Sequence, residues 1–111
     1  VKAMGVEIHK MAIVENGAEL DVGVSVGAFA VVQKGAIVGK DAVIESHSII
    51  KASTRIGHCT EVGHFSVLGG LPQHLGFDPA TNSFVKIGNN VRIGEGVTVH
   101  RSIYPEGSTS V

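Results

Sequence analysis

"AIVGKDAVIESHSIIKASTRIGHCTEVGHFSVL", residues 36–68, keeps a count of six from end to end. Val38, Ile44, Ile50, Ile56, Val62 and Leu68 fall on one phase of that count, and Ala42, Ser48, Thr54, Thr60 and Ser66 fall four residues after an aliphatic position. Extended backwards, the first phase takes in Ile8, Val14, Leu20, Val26 and Val32, giving eleven aliphatic residues in succession. Leu, Ile and Val make up 31 of the 111 residues, so such a run in any of six phases arises by chance roughly five times in a million. The other phase runs back through Ala36, Ala30, Val24, Ala18 and Ala12, all of them small.

One aliphatic and one small column predict a solenoid in which three six-residue sides close one triangular coil. The aliphatic residue fills the prism from the middle of each side, and a corner of so narrow a cross-section admits only a small inward group. Gly27, Gly39, Gly57, Gly63 and Gly69 directly follow aliphatic positions, where the expected reason is a tight bend made without the steric cost of a Cβ. Coils stacked at the strand spacing of ~4.8 Å, with backbone hydrogen bonds running from each coil to the next, make an all-β parallel β-helix. It forms a single domain over 1–111. Residues three sides apart then lie one above another, and Met11, Phe29, His47 and Phe65 are such a series. His47 is accordingly read as a rung of a packed ladder rather than as a ligand or base.

The regular hexads of 8–68 fail at "GGLPQHLGFDPATNSFVK", residues 69–86. The count resumes out of phase, with Ile87, Ile93 and Val99 in the aliphatic column and Val91, Val97 and Ile103 in the other. Taking Ile87 as the successor of Leu68 leaves a surplus of just over two hexads. A solenoid corner ejects such a surplus as a loop, because each coil touches only its neighbours and closure cost grows slowly with length. A long loop in an otherwise minimal repeat is read as functional; this one carries Pro72, Gln73, His74, Phe77 and Asp78. Residues 87–111 are further hexads. No capping helix precedes Val111, so the expectation is a chain truncated within a longer protein, since solenoids cover their open ends.

Composition excludes several classes. A net charge of −1 leaves no basic stripe for nucleic acid or an anionic bilayer. Neither a signal peptide nor an apolar run long enough to cross a membrane is present. Lone Cys59 and the lack of a zinc-like Cys and His spacing fit a reducing, cytoplasmic setting. His58 and His64, six apart, occupy adjacent sides and diverge, so one chain does not bring both to one metal ion. An ice-binding solenoid needs outward rows of Thr, whereas Thr54 and Thr60 stand in the inward column.

The signature of aliphatic, Gly or small polar, two variable, small, variable covers nearly all of residues 8–104, and in it the chain resembles the hexapeptide-repeat acyltransferases. Within that group it is similar to the UDP-N-acetylglucosamine O-acyltransferases, on "IHKMAIVENGAEL", "GGLPQHL" and "IGEGVTVHRSI". The resemblance implies a left-handed β-helix, against the usual right-handed crossover, and a homotrimer with active sites between neighbouring prisms. It implies transfer of a 3-hydroxyacyl group from acyl carrier protein to the 3-hydroxyl of UDP-N-acetylglucosamine, the first step of lipid A synthesis. A histidine acts as general base and a backbone N–H stabilises the oxyanion; no metal or cofactor is required. The family's catalytic histidine lies on a later coil, past Val111, so no catalytic residue is expected in this chain. Gln73 matches a loop Gln that contacts the sugar nucleotide, and His100 matches a histidine facing the cleft. His74 stands where relatives commonly place an Asp that binds the sugar, and Gly76 where they often place Lys. The expected substrate-binding residues are therefore Gln73, His74 and His100. Arg101 is expected to be solvated, or else to pair with a phosphate or a neighbouring subunit. Two other readings stand beside this one: the N-acyltransferase of the lipid A pathway, and a catalytically inert structural or assembly β-helix.

Overall fold

The computed structural model describes residues 5–111 and the backbone of Lys2–Ala3. Short strands recur about every six residues and stack into three parallel sheets. One wall is built from Val6–Ile8, Ser25–Val26, Val43–Ile44, Glu61–Val62 and Arg92–Ile93. The second is Glu19–Leu20, Ile37–Val38, Thr54–Ile56, Phe84–Ile87 and Ser108–Ser110, and the third Ile13–Val14, Val31–Val32, Ile49–Ile50, Val67–Gly70 and Thr98–His100. The chain is a left-handed parallel β-helix, 41 Å in its longest dimension. Backbone hydrogen bonds climb each wall: Ser25 N–H donates to Ala42 O at 3.0 Å, Val43 N–H to Thr60 O at 2.9 Å and Glu61 N–H to Val91 O at 2.9 Å.

Both inward columns form the core. From Val26 to Leu68 every aliphatic position is at most 3% exposed, and Ala30, Ala36, Ala42, Ser48, Thr54, Thr60 and Ser66 are fully buried. Side chains of Val, Leu or Ile size each contribute about 1.5–3 kcal/mol when removed from water, so each coil adds three such contributions and the stack needs no central helix.

Gly69, at φ +89°, makes the bend expected of it, but the other four corner glycines work differently from the expectation. Residue 29 of the turn 27–30 takes a left-handed φ of 61°, and Ala30 N–H closes that turn on Gly27 O at 3.3 Å. The same left-handed position recurs six residues apart at Gly35, Asp41 and His47, and again at Cys59 and Phe65. Gly27, Gly39, Gly57 and Gly63 are not among the positive-φ residues; they are small because the next coil presses on them. A Cβ on Gly63 would stand 2.6 Å from Gly94 O, and one on Gly39 would stand 2.8 Å from the Gly57 carbonyl carbon. Close approach of backbones, rather than bending, keeps these positions free of side chains.

Phe29, His47 and Phe65 stack along one such corner with ring centroids 5.1 and 4.9 Å apart. The ladder lies outside the prism, with Phe29 52% and Phe65 65% exposed.

Buried hydroxyls take over part of the turn bonding in the later coils. Thr60 Oγ1 donates to Gly88 O at 2.7 Å and accepts from Val91 N–H at 3.2 Å. Ser66 Oγ bridges Gly94 O at 2.8 Å and Val97 N–H at 3.2 Å in the same way. In the turn above Ala12 the amide closes directly on the carbonyl, as Ala30 N–H does on Gly27 O at 3.3 Å. A hydroxyl from one coil is thus inserted into the turn of the next, tying the two together.

Candidate functional site

The strand Val67–Gly70 ends where residue 71 leaves the stack, and the chain re-enters the second wall at Phe84. The rungs on either side measure what has been ejected. Ile56 pairs with Val38 below it and with Ile87 above it. The upper interval exceeds the lower by just over two hexads, and that surplus stands outside the coil. The register above the loop holds with Val62 opposite Ile93 and Leu68 opposite Val99, and slips by one residue only at the bulge that sets Gly70 opposite His100. Val85, fully buried opposite Thr54, takes the place of a small-column residue.

Residues 71–83 divide into two halves of different character. The first carries Gln73 and His74, both exposed, and Leu75, whose side chain is 98% exposed. Phe77 N–H closes a turn on His74 O at 3.1 Å, and Gly76, at φ +86° with nothing within 4 Å of a notional Cβ, sits in open space. The second half is fastened. Arg101 donates from one guanidinium nitrogen to Thr81 O and from the other to Pro79 O, both at 2.7 Å, while its guanidinium lies 5.3 Å from the centroid of the Phe77 ring. Asp78 organises the turn between them, its Oδ1 accepting from Ala80 N–H and its backbone O from Thr81 N–H, each at 2.9 Å. At the exit Asn82 Nδ2 donates to Glu106 Oε1 at 3.1 Å, and Asn82 O accepts from Glu106 N–H at 2.7 Å.

His100 ends the strand Thr98–His100, directly above Gly70. A Cβ on Gly70 would touch His100 Cδ2 at 3.5 Å, so the imidazole, half-buried, lies against the point where the loop departs. A shallow cleft of about 240 Å³ runs along the foot of the loop, lined by Gln33, Lys51, Ser53, Gly69, Leu71 and Arg101. Gln73 and His74 thus lie on the loop's exposed half and His100 at the loop's root. Among the described residues no side-chain hydrogen bond joins Gln73 or His74 to His100.

Arg101 is not a freely solvated cation. Two of its donors are committed to loop carbonyls, and nothing in the hexad count points to this because the partners lie 20 and 22 positions back in a segment with no period. A second polar cluster sits on a different wall: Ser46 Oγ and His64 Nδ1 are 2.8 Å apart, and His64 Nε2 is 3.7 Å from Glu45 Oε2. Ser46 and His64 are one full coil apart, so that rung is readable from the repeat. Among the described residues no three His, Cys, Asp or Glu side chains are grouped to hold a metal ion, and no helix is long and apolar enough to cross a membrane.

The prism is the fold of the hexapeptide-repeat acyltransferases on which the chain superposes. The chain is 55% identical over 107 residues to the acyl-[acyl-carrier-protein]–UDP-N-acetylglucosamine O-acyltransferase of Sulfurihydrogenibium sp., covering 96% of this chain and 39% of that protein. It superposes on the UDP-N-acetylglucosamine acyltransferase of Francisella novicida with a TM-score of 0.89 at 30% identity, over 94% of this chain and 38% of that one. The enzyme of the same name from Campylobacter jejuni matches with a TM-score of 0.83 at 33% identity, over 95% and 40% respectively. No family model matches the chain. The protein is a homologue of the UDP-N-acetylglucosamine O-acyltransferases, and it spans about two fifths of the length of the relatives it matches.

Proposed function

We propose that this chain is part of an enzyme that moves a 3-hydroxyacyl group from acyl carrier protein to the 3-hydroxyl of UDP-N-acetylglucosamine, the first step of lipid A synthesis. The observation that carries this reading is the 55% identity, over 107 residues, to a relative whose name states that donor and that acceptor. In it Gln73 and His74 meet the sugar nucleotide from the loop and His100 meets it from the wall. An amide and two imidazoles offer both donors and acceptors to hydroxyls and to a uracil ring. The general base that takes the 3-hydroxyl proton as the oxygen attacks the thioester carbonyl is not assigned to any residue of this chain. The working unit is a cytoplasmic homotrimer with its sites between neighbouring prisms.

On this reading the chain of residues 1–111 binds the nucleotide weakly and does not turn it over. Titrating ¹⁵N-labelled protein with UDP-N-acetylglucosamine is expected to shift the resonances of Gln73, His74 and His100 ahead of those of the opposite wall. A spectrum unchanged at all three positions refutes the assignment and favours an inert β-helical module.

A further inference from the structure

We infer that Arg101 is the positioning residue of the loop, holding residues 77–82 against the prism so that only the segment 72–76 is free to move onto a ligand. The bonding is one-sided in the way this requires. Among the described residues, the side-chain anchors of the loop fall in its second half: the two guanidinium bonds to Pro79 O and Thr81 O, the cation over Phe77, and Asn82 on Glu106. Charge-assisted bonds of this length are stronger than neutral ones, and a planar fork spans two carbonyls as an ammonium does not. The backbone of the same residue holds the other end of the arrangement, since Arg101 N–H donates to Gly70 O at 3.0 Å. One residue therefore grips the wall strand from which the loop departs and the loop's returning half, and it follows His100 in the chain.

In this conformation two of the five guanidinium N–H groups are committed to the loop. The guanidinium faces loop carbonyls through both terminal nitrogens. Lys51 lines the same cleft as Arg101. What Arg101 supplies is placement of Gln73 and His74, and this part of the inference rests on the function proposed above.

The test compares the chain with R101Q and R101K. Backbone hydrogen exchange reads the clamp without any ligand, because Ala80 and Thr81 amides are bonded only within the turn that Arg101 fastens. In R101Q those two amides are expected to exchange about ten-fold faster, the loss of charge-assisted bonds being ample for that. The amides of Val43 and Val67, bonded between coils, keep their rates. R101K recovers part of the protection at most. The affinity for UDP-N-acetylglucosamine is expected to fall about ten-fold in R101Q at unchanged melting temperature. Unchanged exchange at Ala80 and Thr81, or equal acceleration at Val43 and Val67, overturns the clamp. Faster loop exchange with undiminished nucleotide affinity overturns the positioning role. A wild-type chain that binds no nucleotide refutes the proposed function instead, and the exchange rates alone then decide whether Arg101 is the clamp.

Discussion

Replacing Thr60 by Val isolates the hydroxyl that Thr60 lends to the next coil. Volume and shape are nearly preserved, and valine already occupies the same column at Val24 and Val85, both fully buried, so no cavity forms. What disappears is the bridge between Gly88 O and Val91 N–H. Gly88 is exposed and its carbonyl can turn to water, whereas Val91 is half-buried and its amide is left without a partner. An orphaned amide together with two lost bonds comes to about 1–3 kcal/mol; for a domain of this size a loss near the middle of that range lowers the melting temperature by roughly 9 °C. The partial remedy is for Val91 N–H to close on Gly88 O, as the alanine turns do, which requires the two strands of that corner to draw together over a fully packed interior. Thermal melts followed by circular dichroism give the size of the effect, and hydrogen exchange at Val91 gives its location. Ser66→Ala removes the equivalent bridge above Gly94 and is expected to cost a similar amount. Two variants each within about 0.5 kcal/mol of wild type, with Val91 and Val97 amides as protected as before, would refute the idea that these hydroxyls lock the coils.

Two other substitutions test the corners. Gly63→Ala places a methyl 2.6 Å from Gly94 O and 2.7 Å from the Gly94 carbonyl carbon, where no side chain can rotate away, and is expected to cost about 1–3 kcal/mol in urea denaturation. Gly94→Ala, whose Cβ meets only Val97 Cγ2 at 3.9 Å, is the neutral control, and equal costs for the pair would contradict the close-approach account. At the aromatic corner His47→Ala loses both ring contacts while keeping a φ of 63°, for an expected loss of about 1 kcal/mol. His47→Gly sheds the left-handed penalty, also about 1 kcal/mol, and is expected to unfold at higher urea than His47→Ala; the reverse order would show that the corner is not strained.

How much of this was legible in the sequence follows from what a period records. It records which side chains point inward, because a one-residue slip would put Ile44 or Leu68 in water, and so the columns, the three walls and the aromatic ladder could be read directly. It also counts what is missing, so the offset between Leu68 and Ile87 announces an ejected loop. The count is silent on the hand of the coil, for which only the resemblance spoke. It misleads on Gly63, because a glycine required by a neighbouring backbone 2.6 Å away looks, in one dimension, like a glycine required by a bend. It says nothing of Arg101, whose partners belong to the aperiodic segment and depend on the path that segment takes. The loop was therefore legible as a place, the corner after Gly70, and illegible as a set of contacts.

The unbroken rungs above the ejected segment mean that height along the axis is counted in turns of the coil and not in amino acids. Lengthening or shortening that appendage moves no later side chain up or down the tower. Selection can therefore rewrite this corner while leaving untouched the masonry that carries it, and a grafted substitute of another length should be accepted at the same doorway.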